Sequence, residues 1–398
     1  MASDSSTSPP HPAGAGDVTR GIFGSALVER LRQAGNVWKL PGGQLVLPRA
    51  FGFCRGVERA LAMLQQAVQA AGKTHKKLFL LGQIIHNPWV NQRFEAAGVR
   101  ILTGPELDDP GAFISPADCA VIPAFGVPPE VEHRLRAIGC EIIDTSCGDV
   151  RRLWAWAERA VAGGRGVLIF GRAQHDETVV TKSRLAAAGG NYLVVHNLAE
   201  VRQFCGMIVS PDAPGFASAF GQQATNASSI EPFENLAQVS QTTMLYDETV
   251  QVRELLREAF ERRFGKDEGQ RRLLFEPTVC RATQDRQSAA VELCRSGLDL
   301  VIVVGGFGSS NTRHLYELAR HYVPAYFIES AEAIKSSREL LTFDPAREAE
   351  VVAADWLPGR RPLRIGVLAG ASSPEAVVGD VLERLAAFLK QRGRAAFC

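Results

Sequence analysis

Three cysteines in this chain stand where a thiol can become a ligand. Cys54, Cys147 and Cys280 each lie between an extended segment and a helix start. Their contexts are Gly52-Phe53-Cys54-Arg55-Gly56, Asp144-Thr145-Ser146-Cys147-Gly148 and Thr278-Val279-Cys280-Arg281-Ala282. A helix N-terminus offers backbone N–H groups and positive partial charge, which favour thiolate over thiol. Strand-to-helix loops also gather at the ligand-binding edge of parallel sheets. The wide spacing suits one ligand per domain, with three thiolates converging on one point. Three sulfurs and no obvious fourth ligand fit either a three-cysteine metal site or a [4Fe–4S] cluster with one open iron. No C-x-x-C pair occurs, which weakens a zinc-ribbon or thioredoxin-like reading. Cys119, Cys140, Cys205 and Cys294 lie in apolar or helical patterns and read as small buried hydrophobes, and Cys398 is terminal.

Two Gly/Ser loops could cradle an anion. Gly305-Gly306-Phe307-Gly308-Ser309-Ser310-Asn311 and Gly370-Ala371-Ser372-Ser373-Pro374 each follow an apolar strand and precede a helix. Glycine lets backbone approach a ligand, hydroxyls donate, and the helix start favours negative charge. His86 is expected to end an apolar strand at Ile84-Ile85, and His175 and Glu177 follow another strand that ends at Phe170. A histidine can donate to phosphate, and a sheltered carboxyl can carry a proton near neutral pH. Ser240-Gln241-Thr242-Thr243 is a further polar set, whereas His133, His196 and His314 fall in helix or strand patterns.

The elements that must position these residues alternate. Strands are expected at Leu45–Leu47, Leu78–Leu81, Ala120–Ile122, Glu141–Ile143, Gly166–Phe170, Tyr192–Val195, Leu300–Val304 and Arg364–Leu368. Helical periodicity covers Val57–Ala71, Pro129–Ile138, Val150–Val161, Glu248–Phe264, Thr283–Arg295, Thr312–Tyr322 and Pro374–Lys390. That alternation predicts an α/β fold with helix-covered, mostly parallel sheets. The division expected is an N-terminal extension over 1–44, disordered through about residue 16, then α/β modules at 45–140, 141–275 and 276–398. The chain has 398 residues, 44 Lys+Arg against 43 Asp+Glu and 46% hydrophobic content. This balance removes the footprint of a general nucleic-acid binder, and no apolar run is long enough to span a membrane. With no secretory leader and eight cysteines in so long a chain, free thiols in a reducing cytoplasm are expected, a plastid location less so. No dinucleotide fingerprint or P-loop is present.

Together these segments resemble hydroxymethylbutenyl diphosphate reductase, the IspH/LytB family, in its cyanobacterial and plant form. The resemblance runs from about Gly21 to Leu389. It rests on Phe51-Gly52-Phe53-Cys54-Arg55-Gly56-Val57-Glu58-Arg59-Ala60, Ile84-Ile85-His86-Asn87-Pro88, Pro123-Ala124-Phe125-Gly126, Gln241-Thr242-Thr243-Met244-Leu245, Ala282-Thr283-Gln284-Asp285-Arg286-Gln287 and Gly305-Gly306. It implies three related α/β modules around a central cluster. One [4Fe–4S] cluster per chain would be held by Cys54, Cys147 and Cys280, with one iron not ligated by cysteine. Diphosphate contacts fall on His86, His175, Ser309, Ser310, Asn311 and Ser372. The proton-delivering glutamate matches Glu177, and the threonine that orients the substrate hydroxyl matches Thr242. This chain departs from the family at Gly148-Asp149, where proline usually follows the second cysteine, and at Phe307-Gly308, where Trp-Asn is usual.

The implied activity is reductive dehydroxylation of 4-hydroxy-3-methylbut-2-enyl diphosphate to isopentenyl and dimethylallyl diphosphate, the last step of the methylerythritol phosphate route. Electrons would come from a ferredoxin or flavodoxin. Other readings are a paralogous iron–sulfur reductase or hydro-lyase acting on a different allylic substrate, and a non-enzymatic iron–sulfur redox sensor.

Overall fold

A computed structural model describes residues 15–211, 215–359 and 362–394. The Ser/Pro-rich stretch through residue 14 and Cys398 lie outside the described residues. Contacts divide the chain into two compact units. Of the described residues, the first holds Ala67–Ile84 and Gly98–Cys280, and the second holds 15–66, Ile85–Ala97 and those from Arg281 to 394.

The strands, in chain order, are β1 Val37–Leu40, β2 Gly43–Val46, β3 Leu78–Leu81, β4 Val99–Leu102, β5 Cys119–Ile122, β6 Glu141–Asp144, β7 Gly166–Phe170 and β8 Tyr192–Val195. They continue as β9 Leu236–Ser240, β10 Leu273–Phe275, β11 Leu300–Val304, β12 Ala325–Ile328, β13 Glu339–Asp344, β14 Ala349–Ala354 and β15 Leu363–Ala369. In the first unit, one sheet runs β4-β3-β5-β6 and another β10-β9-β7-β8. In the second unit a sheet runs β1-β2-β15-β11-β12, and β13-β14 form a separate hairpin. Every pairing in the three larger sheets is parallel except β1 with β2.

The same motif is built three times. In each sheet a first strand (β3, β7 or β11) has the next strand on one side and a third (β5, β9 or β15) on the other, and an outer strand (β6, β10 or β2) flanks the third. After each outer strand comes one of the three candidate cysteines, then a helix leading to the next first strand: Arg55–Thr74 into β3, Gly148–Ala162 into β7 and Arg281–Cys294 into β11. The last sheet is therefore completed by β2, from the opposite end of the chain. The modules expected at 45–140 and 141–275 differ from the sheets at two strands, because β2 pairs with β15 and β6 with β5.

Side-chain alternation explains why these sheets are covered on both faces. Leu168 and Phe170 of β7 pack with Leu193, Phe204 and Phe260, whereas Val167 and Ile169 pack with Leu185, Val194 and Val239. Likewise Leu300, Ile302 and Val304 of β11 enter one core and Val301 and Val303 the other. A strand buried on both faces reads as a continuous apolar run, which is what the sequence displays. Where polar side chains break the run the strand was missed: β9 buries Gln238 and Ser240, the former donating to the Thr249 carbonyl. The run at Ile84-Ile85 is not a strand. β3 ends at Leu81, and Ile84 and Ile85 are buried in the connection, placing His86 in a loop. Among the described residues no helix is long and apolar enough to cross a membrane.

Two threonines latch cysteine loops onto their sheets. Thr145, two residues before Cys147, donates its hydroxyl to the Ile122 carbonyl at 2.6 Å. Thr278, two before Cys280, donates to the Ser240 carbonyl at 2.6 Å and accepts from the Ser240 N–H at 2.7 Å. Both threonines are fully buried. Thr278→Val orphans the Ser240 N–H and should destabilise the protein by about 1–3 kcal/mol. Thr145→Val leaves the Ile122 carbonyl still bonded to the Thr145 N–H and should cost about 1 kcal/mol or less. Chemical unfolding of the two variants, with Thr278→Ser as the near-neutral control, checks the order.

Candidate active site

The three cysteines share one backbone arrangement. Cys147 N–H donates to the Ala124 carbonyl at 2.9 Å, Cys280 N–H to the Thr242 carbonyl at 2.9 Å, and Cys54 N–H to the Ala371 carbonyl at 3.3 Å. Each acceptor lies in the loop after the third strand of that cysteine's sheet, so each thiol is fixed to the same corner of its module. All three are outside any disulfide and half-buried. The other described cysteines are held as thiols by burial: Cys119 and Cys205 are pushed up to about 12, Cys294 to about 11, and Cys140 is raised as well. Those four keep the reading as packing residues.

In the first unit Glu177 and Thr242, the candidate acid–base pair, meet directly. Glu177, only 1% exposed, accepts the Thr242 N–H on Oε1 at 2.7 Å and the Thr242 hydroxyl on Oε2 at 2.6 Å. Its carboxyl is pushed up to about 7, first by desolvation; the two Thr242 hydrogen bonds oppose this and the Asp149 carboxylate adds to it. Asp149 itself is paired with Arg152 at 3.6 Å. His175 caps the helix Asp176–Ala187, its Nδ1 accepting the Glu177 N–H at 3.2 Å. That bond makes Nε2 the proton-bearing nitrogen of the neutral ring. The Phe125 ring meets the His175 ring edge-on at 5.6 Å. Because Phe125 follows Ala124, this contact lies beside the carbonyl that holds Cys147.

In the second unit the two Gly/Ser loops interlock. Ser372 donates to the Ser309 hydroxyl at 3.0 Å, and the Thr312 hydroxyl donates to it at 2.9 Å. With its acceptor positions filled, Ser309 keeps its own O–H to donate. Asn311 Oδ1 accepts the Ala371 N–H at 2.9 Å, and the Ala371 carbonyl receives Cys54, so one residue ties the anion loop to the cysteine loop. A methyl group at Gly370 would overlap the Thr312 hydroxyl, and one at Gly306 would overlap the His86 carbonyl. The close backbone approach at Gly306 is what brings His86 beside the loop. Ser309, Ser310, Asn311 and Ser372 are all buried. The Ser310 hydroxyl has no hydrogen-bond partner. A buried donor left unpaired among hydroxyls at a helix start fits an anionic group that would accept from it. Phe307 is anchored away from this cluster, stacking on Phe343 at 4.5 Å while its N–H donates to Glu329 at 2.9 Å.

Every residue singled out from the sequence thus falls into one of two groups: Cys147, Cys280, His175, Glu177 and Thr242 in the first unit, and Cys54, His86, Ser309, Ser310, Asn311 and Ser372 in the second. Among the described residues no group of three or more His, Cys, Asp or Glu side chains is placed to hold one metal ion. Three half-buried thiols at equivalent corners of three modules are the donor type that would hold an iron–sulfur cluster. Sequence reasoning missed Thr145 and Thr278, although a threonine two residues before the cysteine is visible in two of the three segments.

The LytB protein family model matches residues 45–386. A 4-hydroxy-3-methylbut-2-enyl diphosphate reductase of Thermosynechococcus vestitus is 34% identical over 376 residues, covering 92% of this chain and 90% of that protein. One from Gloeobacter violaceus is 34% identical over 379 residues, covering 93% and 88%. The solved structure of an (E)-4-hydroxy-3-methyl-but-2-enyl diphosphate reductase, described as the terminal enzyme of the non-mevalonate pathway, aligns with a TM-score of 0.52 at 25% identity, over 86% of this chain and 98% of its own. The reductase structure from Plasmodium falciparum aligns with a TM-score of 0.62 at 20% identity, over 85% and 86%, a likeness of fold. With its three cysteine corners on repeated parallel sheets and a match running through nearly all of its described length, the chain belongs to the LytB protein family.

Proposed function

We propose that this chain is a 4-hydroxy-3-methylbut-2-enyl diphosphate reductase. It removes the allylic hydroxyl as water, using two electrons and two protons, and gives isopentenyl and dimethylallyl diphosphate. The observation that carries the reading is the buried Glu177 carboxyl, bonded to Thr242 and titrating near neutral pH, in the unit that holds Cys147 and Cys280. A [4Fe–4S] cluster on Cys54, Cys147 and Cys280, with one iron free of cysteine, would supply the electrons and a Lewis acid. Those electrons come from a partner of the ferredoxin or flavodoxin class. We assign the chain to a reducing cytoplasm, where an oxygen-sensitive cluster and free thiols persist.

The chain's own residues bind, orient and protonate. Ser309, Ser310, Asn311, His86 and His175 donate to the diphosphate, and Ser372, by donating to Ser309, leaves the Ser309 O–H free to point at it, so that helix starts, hydroxyls and imidazoles do what fixed cations do elsewhere. Hydroxide is a poor leaving group, so the C–O bond breaks as a proton arrives. A carboxyl with a value of about 7 is part protonated at neutral pH. When protonated, Glu177 donates to the Thr242 hydroxyl, which passes its own proton to the substrate oxygen. Water leaves, and the second proton ends on the allylic carbon.

Anaerobic iron and sulfide analysis, spectra with and without the allylic diphosphate, and turnover with a chemical reductant test the reading. Cys54→Ser, Cys147→Ser and Cys280→Ser should each lose iron loading, and Cys205→Ser should keep it; retention by any of the first three would overturn the ligand set. His86→Ala and His175→Ala should weaken diphosphate binding roughly 10- to 100-fold, the worth of one charge-assisted hydrogen bond, with the cluster spectrum unchanged.

Glu177→Gln should load the cluster and bind the diphosphate yet lose roughly 10²–10⁴-fold in turnover. Near-normal turnover by the loaded variant would reduce Glu177 to a structural carboxyl. The same substitution has a stability signature. Between the ordinary value of 4.5 and about 7, the fold holds a proton that the unfolded chain has released. Stability therefore falls as pH rises through that window, and the loss is complete above it. The variant lacks this loss, so its stability relative to the parent should rise across the window by up to roughly 3 kcal/mol. Unfolding curves at pH 4.5 and 8 measure the difference.

A further inference from the structure

The threonine latch occurs at only two of the three cysteine corners. At the third, the residue two before the cysteine is Gly52, which has no side chain and sits at φ +73°. A threonine there would be strained, because β-branched residues are excluded from left-handed backbone. The Cys54 loop is held instead by Arg286. Its Nε and one terminal nitrogen donate to the Gly52 carbonyl at 3.2 and 2.6 Å, and that same nitrogen donates to the Phe53 carbonyl at 3.0 Å. The other terminal nitrogen returns to the Ala282 carbonyl of its own helix at 2.9 Å. Arg286 is 7% exposed, and none of these partners is a carboxylate. A buried cation is costly unless its hydrogen bonds are made or negative charge lies near it.

We infer that Arg286 is the positioning residue for Cys54: its guanidinium replaces the missing threonine latch and fixes the two carbonyls that precede the ligand. The inference rests on the proposed role of Cys54 as a cluster ligand. Arginine suits the task, since its planar fork reaches two successive carbonyls while still bonding its own helix, and a lysine ammonium offers only a point donor.

The test compares alkylation of Cys54, Cys147 and Cys280 within one sample of the full-length, cluster-free chain, read by peptide mapping. Arg286→Gln should speed Cys54 by about tenfold or more relative to Cys147 and Cys280, since several hydrogen bonds to a charged donor are lost. Arg286→Lys should fall between the variant and the parent, which checks the geometry should the Gln variant fold poorly. Thr278→Val should shift the ratio at Cys280 and leave Cys54 alone. Unchanged ratios in the Arg286 variants, or equal acceleration at all three cysteines, would overturn the inference. Iron loading of the Cys54→Ser chain separately reports whether Cys54 is a ligand at all, so the two failures are distinguishable.

Discussion

A single backbone hydrogen bond, made three times, sets the position of each candidate ligand. The N–H of Cys54, Cys147 or Cys280 donates to a carbonyl in the loop after the neighbouring parallel strand. That bond can form only if the outer strand is in register with its partner, as β6 is with β5 from Cys119–Glu141 to Ile122–Asp144. Register in turn follows from burial on both faces, because a one-residue slip would exchange the two cores. Packing of β5, β9 and β15 between two cores therefore governs where a sulfur ends up several residues later.

Repetition of one motif leaves room for difference at its corners. Two corners use a buried threonine hydroxyl, and the third uses a guanidinium brought in from the helix Arg281–Cys294. The third module also carries the β13-β14 hairpin, whose Phe343 receives Phe307, while Arg313 from the helix after the anion loop pairs with Glu348 at 2.7 Å. The Gly/Ser loop is thereby held from outside its sheet, with the Ser309 and Ser310 hydroxyls left facing inward from a fixed frame.

Glu177 shows the opposite balance, in which local stability is given up for chemistry. Burying a carboxyl without a cation costs free energy, and the two hydrogen bonds from Thr242 return only part of it. What remains is a group that can hold a proton near neutral pH, which a solvated glutamate cannot do. The nearby Asp149 carboxylate pushes the same way.

The sequence by itself determined the elements whose burial is uniform: continuous apolar runs became β3, β5, β7, β8 and β11, and the 3.6-residue pattern became the helices after each cysteine. Cys54, Cys147 and Cys280 were legible because strand and helix signals adjoin them, and the Gly/Ser loops because glycine, hydroxyl and helix start coincide. Strands such as β9, with its buried Gln238, and the mostly exposed β14 were not, since neither carries the uniform apolar run that marks a strand buried on both faces. Tertiary structure alone decided that β2 completes the sheet of β15, that β6 closes the sheet of β5, and that His86 lies in a loop. It alone brought Arg286 to the Gly52 carbonyl, 234 residues away. Periodicity reports which face of an element is dry, a local property of the chain; which strand or carbonyl lies against that face depends on packing among segments far apart in sequence.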